Sequence, residues 1–184
     1  MIIAVKGEPG SGKTTICKLT AEKLAKSGLK ICGFITQEVR NEKNEREGFE
    51  IYSFCGKKTI FSSVNLNTPY RVGRYRVDIR AFEEIAIPNL EDAVLKKCNV
   101  LIIDEIGKME MISEKFRDRI QRIITSYSGT GILVVTLPVY DFHPIIKEIV
   151  KRADKVFYTS RSSKNSIEVS NQIVELITKF SQSM

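Results

Sequence analysis

The sequence predicts an α/β domain in three layers, a mainly parallel β-sheet with helices on both faces, and three observations carry that expectation. A short apolar run, Ile2 to Val5, leads straight into GEPGSGKTT, Gly7 to Thr15, and from there into a stretch of helical periodicity. Continuous apolar runs recur at Val100 to Ile103 and within Gly131 to Leu137, as strands buried on both faces do. Between these runs lie segments with apolar residues at helical spacing, so strands and helices alternate along the chain.

The first segment carries the chemistry. GEPGSGKTT fits G-x-x-x-x-G-K-[ST], the Walker A phosphate loop, with Gly7, Gly12, Lys13 and Thr14 at the fixed places. Gly7, Glu8, Pro9, Gly10, Ser11, Gly12, Lys13, Thr14 and Thr15 are therefore the candidate nucleotide-binding loop. Without side-chain bulk at Gly10 and Gly12, backbone N–H groups can turn inward around a polyphosphate, and the following helix adds the positive end of its dipole. Lys13 is expected at the outer phosphates as a catalytic cation, and the Thr14 hydroxyl on a Mg2+ ion bridging them.

The helix reads from Thr15 to Lys26, with Ile16, Leu19 and Leu24 inward, and Ser27-Gly28 closes it. Leu29 to Val39 is a second strand, rich in β-branched and aromatic residues. The charged segment Arg40 to Glu47 reads as a solvated hairpin tip, the alternative being a ligand-reading loop, and Phe49 to Cys55 and Lys58 to Ser62 read as two strands turning at Gly56. An antiparallel hairpin insertion is thus expected at about residues 40–63. Pro69 to Arg80 gathers Arg71, Arg74, Arg76 and Arg80. In an extended segment Arg74 and Arg76 share a face, which makes them candidates for a catalytic arginine, the alternative being a sheet edge blunted by charge. Ile79 to Ile87 reads as a helix, with Pro88 restarting the chain into a second one over Asn89 to Lys97.

In NVLIIDE, Asn99 to Glu105, two acids arrive where a buried strand emerges, the end of a parallel sheet where ligands sit. Asp104 matches the Walker B aspartate that, with Thr14, holds the metal. Glu105 is the candidate base on an attacking water. Gly107 gives the backbone close access to phosphates, and Lys108 reads as solvated. Ser113 caps a helix over Lys115 to Ser126, and Gly131 to Leu137 is the third apolar strand, its Thr136 facing either a phosphate or a local turn. His143 reads as a cap before the short helix Ile145 to Lys151. A last strand, Lys155 to Thr159, leads to Arg161, a candidate platform for the nucleobase, and to a terminal helix, Ser166 to Phe180.

Composition sets bounds. With 184 residues and 42% hydrophobic content, a single domain over residues 1–184 is expected. No run approaches the roughly 18 apolar residues of a membrane span, and the start is too quickly polar for a signal peptide, so a cytoplasmic protein off the membrane is expected, with a monomer favoured. Cys17, Cys32, Cys55 and Cys98 form no metal-binding spacing and read as reduced, semi-buried residues. The net charge of +7 suits a partner of nucleotide polyanions. It also permits nucleic acid, which no motif supports.

Four segments together resemble a known family: GEPGSGKTT, GFITQEVR at Gly33 to Arg40, the G-x-Y-x-V-D pattern at Gly73 to Asp78, and LIIDEIGKME at Leu101 to Glu110. The chain from Met1 to about Arg161 is similar to the small nucleoside-triphosphatases described from thermophiles, whose human member is the cancer-related nucleoside-triphosphatase. That resemblance implies a P-loop NTPase fold, RecA-like and of the additional-strand type. It implies Mg2+-dependent hydrolysis of ATP, GTP, CTP and UTP to diphosphate and phosphate, with Lys13, Thr14, Asp104 and Glu105 on the family's motif positions. A nucleoside or nucleotide kinase, and a nucleotide-switched RNA- or protein-binding module, are the alternatives.

Overall fold

The computed structural model describes residues 1–95, 97–126, 131–163 and 165–182. Nine strands form one sheet in the order β5-β6-β4-β3-β2-β7-β8-β1-β9. They are β1 (Ile2–Gly7), β2 (Ile31–Arg40), β3 (Arg46–Ser53), β4 (Lys58–Ser63), β5 (Arg71–Val72), β6 (Tyr75–Val77), β7 (Val100–Ile103), β8 (Ile132–Leu137) and β9 (Lys155–Thr159). The helices are α1 (Lys13–Lys26), α2 (Ile79–Val94), α3 (Glu114–Ser126), α4 (Pro144–Arg152) and α5 (Ser166–Gln182). No described helix is long and apolar enough to cross a membrane.

The half of the sheet from β2 to β9 is parallel, with β2 beside β7, β7 beside β8, and β1 between β8 and β9. Alternation along each strand divides the apolar side chains between two cores. Ile2, Ala4, Leu101, Ile103, Leu133 and Val135 face α2, α3 and α4, while Ile3, Val5, Val100, Ile102 and Val134 face α1 and α5. Both faces are dry, which is why these strands read as unbroken apolar runs.

The other half, β3 to β6, is antiparallel and grows from the outer end of β2. Pairing of β2 with β7 stops at Phe34 opposite Ile103, but β2 runs on to Arg40 and there pairs with β3. The insertion therefore stands beyond the carboxyl end of the parallel half and walls one side of the space over it. It is longer than the sequence suggested, since β5 and β6 extend the same sheet past β4.

Two expectations are corrected. Residues 79–94 form one helix with Pro88 inside it, not two helices split there. The Asn89 side chain bridges the site: its amide donates to Ile85 O at 2.8 Å and its Oδ1 accepts from Gly33 N at 3.1 Å. Burial of Phe82, Ile85, Ala86 and Leu90 against the sheet outweighs the proline's lost N–H. Gly33 itself is at φ +109°, and a Cβ there would lie 1.9 Å from Ile102 O, so only glycine lets β2 lie this close to β7.

The second correction concerns sulfur. Cys32 and Cys98 are joined in a disulfide, with Cα atoms 5.8 Å apart. Sixty-six residues separate them, but β2 and the start of β7 are neighbours, and Cys98 stands just before β7. Cys17 is free and buried, Cys55 free and exposed.

Candidate active site

The phosphate loop leaves β1 and enters α1 in the predicted way. Gly12 caps the helix at φ 89°, a left-handed conformation that costs other residues energy. Behind the loop, Thr159 Oγ1 at the end of β9 donates to Ser11 O at 2.7 Å, and on its outer side Arg161 Nε donates to Pro9 O at 2.8 Å. The loop is thus pinned from β9 on both flanks. Lys13 is buried, and its Nζ donates to Gly7 O at 2.8 Å and Glu8 O at 3.0 Å, which holds the ammonium folded over the loop.

Asp104 lies at the end of β7, fully enclosed. Its Oδ1 accepts from Thr136 Oγ1 at 2.6 Å, so the Thr136 hydroxyl serves neither a turn nor a phosphate directly but fixes the carboxylate. Oδ2 is buried with no hydrogen-bond partner. Burial pushes the Asp104 carboxyl above its usual range, opposed by the Thr136 and Thr14 hydroxyls, the Thr36 backbone and the Lys13 charge. An acid oxygen left bare beside a threonine hydroxyl supplies the hard oxygen donors a divalent cation takes. These residues fit Mg2+ on that observation.

Glu105 follows, joined to Asp104 by a cis peptide. Its carboxyl is pushed up by burial and by Asp104, and pulled down by Lys13. A third acid, Glu110, is fully buried nearby. Burial and then Glu105 lift its pKa to about 8, although its Oε2 accepts the Gly107 N–H at 3.0 Å.

Over the carboxyl ends of the strands opens a cleft of about 600 Å³. Of the residues expected from sequence, Pro9, Gly10, Gly12, Lys13, Thr14, Thr15, Glu105 and Gly107 line it. Gly7, Ser11 and Asp104 lie buried beneath it, and Arg161 sits on the outer side of the loop. Lys108, read from sequence as simply solvated, is exposed yet belongs to the wall. Arg74 and Arg76 are not part of the wall. Arg74 donates to Arg46 O with its guanidinium 5.2 Å over the Tyr75 ring, and Arg76 donates to Thr68 O at 2.8 Å, both bracing the sheet edge.

The far wall was not legible. Thr36, Gln37 and Glu38 of β2, Arg46 and Phe49 of β3, Val72, Met109 and Glu110 complete the cleft. Arg46 lies in a run of charge, which by itself favours a solvated tip. The one signal that set it apart was its place at the end of that run, where the alternating strand begins. His143 is a helix cap, its Nδ1 accepting from Ile145 N at 3.2 Å, and Ser113 caps α3 through Phe116 N at 3.0 Å.

Known proteins resemble the chain in sequence and in fold. A family model described as NTPase matches residues 2–174. The chain is 46% identical over 154 residues to the nucleoside-triphosphatase THEP1 of Aquifex aeolicus, covering 81% of this chain and 84% of that one. It is 36% identical over 177 residues to the human cancer-related nucleoside-triphosphatase, covering 90% and 91%. The crystal structure of the Aquifex protein superposes with a TM-score of 0.82 at 41% identity, covering 96% of this chain and 99% of that one. The solution structure of a human cancer-related nucleoside triphosphatase superposes with 0.77 at 33%, covering 96% and 97%.

Proposed function

The chain belongs to the NTPase family and is a nucleoside-triphosphatase on a P-loop NTPase fold, and from that premise we propose how its cleft works. The substrate is a nucleoside triphosphate, with the polyphosphate wrapped by Gly7 to Thr15 and the ammonium of Lys13 on the outer phosphates. Thr14 and Asp104 would hold Mg2+, which when bound neutralises charge between the β- and γ-phosphates. Asp104 is kept ready by Thr136, which occupies one carboxylate oxygen and leaves the other bare.

Glu105 takes the proton of a water aligned with the γ-phosphorus. The observation that carries this role is its placement: it lines the same cleft as the phosphate loop, one residue beyond the carboxylate buried under that loop. Burial raises its proton affinity, which makes it a better acceptor than an ordinary surface glutamate, while Lys13 keeps the raised value in check. Because the loop grips phosphates, ATP, GTP, CTP and UTP are all substrates, with the base resting outside the loop near Arg161. Relatives named as triphosphatases do not favour the kinase or binding-module alternatives. We further read residues 1–184 as one monomeric domain acting in the cytoplasm, where its substrates are made.

The test follows γ-labelled triphosphate with Mg2+, with and without a pool of nucleosides and nucleoside monophosphates. Label should appear as free phosphate whatever the pool, and Glu105→Gln should slow its release by about 10² to 10⁴ while nucleotide still binds. Label moving onto a pool member, or unchanged release in the variant, would remove this reading.

A further inference from the structure

We infer that Arg46 is the arginine that meets the γ-phosphate from within the same chain, held in waiting by Glu38. This rests on the hydrolytic reading above and supplies the charge that reading lacks.

Arg46 is a cation that lines the same cleft as the phosphate loop. Arg46 opens β3 at an irregular point, where β2–β3 pairing slips between Val39 and Arg40, and it lines the wall opposite Lys13 and Thr14. Its backbone is fixed by the Arg74 guanidinium, which donates to Arg46 O. Its side chain lies against Phe49, with Cζ 5.6 Å from the ring centroid. Its Nε is buried without a hydrogen-bond partner, and one Nη pairs with Glu38 Oε1.

Magnitudes decide which partner wins. The Glu38 and Arg46 side chains are 33% and 35% exposed, and Arg40 shares the same carboxylate at 2.6 Å. Such a partly exposed pair, screened by solvent, holds the guanidinium only weakly. A γ-phosphate carries more charge than one shared carboxylate and accepts a guanidinium in bidentate fashion. The bare Nε gives Arg46 a second donor for that geometry. Other cations are less suited: Lys18 is tied to Gln37 Oε1 at 2.7 Å, Arg74 and Arg76 are committed to carbonyls, and Lys108, though in the wall, offers a point charge without the bidentate fork.

In the step itself the water oxygen bonds to the γ-phosphorus as the bond to the β,γ-bridging oxygen breaks. The water's proton passes to Glu105, and the bond pair leaves with the diphosphate. Charge then accumulates on the equatorial and bridging oxygens, where a guanidinium stabilises the transition state more than bound substrate.

Three arms test this with the whole chain. Arg46→Ala should lower kcat about 10³-fold with KM changed far less, and added guanidinium ion should restore part of the loss. Arg46→Lys keeps a cation and the strand, so it guards against misfolding. It should bind nucleoside diphosphate as the unaltered chain does, yet lose at least about tenfold in affinity for nucleoside diphosphate with aluminium fluoride, a mimic of the transferring phosphoryl group. Arg40→Ala, which removes the other partner of Glu38 outside the cleft, should leave both readouts unchanged. Full turnover and full aluminium fluoride affinity in both Arg46 variants would overturn the inference, as would equal losses in Arg40→Ala. An unaltered chain that releases no phosphate would instead sink the hydrolytic reading itself.

Discussion

The two walls of the cleft present cations to the same space but are built in opposite ways. On one side Lys13 stands within the loop it serves, its Nζ bonded to carbonyls five and six residues away in sequence. On the other, Arg46 is delivered by a strand that pairs with the overhang of β2, and its backbone is braced by Arg74, 28 residues on. The loop wall is local and works wherever a strand and helix flank it. The insertion wall works only if β2 overshoots β7 and β3 pairs in one register, so its chemistry is hostage to the fold.

That contrast can be broken most sharply at Lys13. Lys13→Ala should lower kcat by about 10² to 10³ and kcat/KM by more, since it strips charge from bound substrate as well as from the transition state. Steady-state kinetics beside the Arg46 variants checks it: the loop cation should act on both binding and turnover, the insertion cation mainly on turnover.

The Cys32–Cys98 bond ties the root of the insertion wall to the strand that carries Asp104. Closing a loop of this length stabilises the fold by about 4 kcal/mol on a chain-entropy model. Reduction, or Cys32→Ala with Cys98→Ala, should lower the chemical denaturation midpoint accordingly. Turnover well below the new midpoint should persist, because neither cysteine lines the cleft.

Glu110 offers a test through pH. Its folded pKa of about 8 lies above its ordinary 4.5, so between those values the folded chain binds more protons than the unfolded chain, and stability falls as pH rises. The loss begins above about 4.5 and is complete once pH exceeds about 8, amounting on its own to a few kcal/mol at most. Glu110→Gln keeps an acceptor for the Gly107 N–H but does not ionise. Denaturation across pH 5 to 9 should show a shallower decline in the variant and greater stability at pH 8 and above. Asp104 and Glu105, pushed the same way, should keep some slope in place.

The smallest effect is expected at the arginine cluster. Arg76→Ala removes a brace to Thr68 O on the sheet edge and should leave kcat within about twofold, with a stability loss of about 1 kcal/mol. A large loss of turnover there would move the catalytic arginine from β3 to β6.

What the sequence determined by itself is what chemistry forces into a short span. The glycine loop with its lysine and threonine is one short run, and the acid pair at the end of a buried strand is another, so local spacing alone located one wall and the candidate acids. The alternation of buried runs with helical periods likewise announced the three layers. Tertiary structure decided whatever depended on strand order and register. Cys32 meets Cys98, and Thr136 meets Asp104, because parallel neighbours in the sheet lie far apart in sequence. The helix runs through Pro88 because its apolar face, Phe82, Ile85, Ala86 and Leu90, is buried against the sheet on both sides of the proline. Arg46 lines the cleft, where its charged neighbourhood favours a solvated tip, because β2 overshoots β7. Such contacts are selected by packing between distant segments, and no local pattern of residues records them.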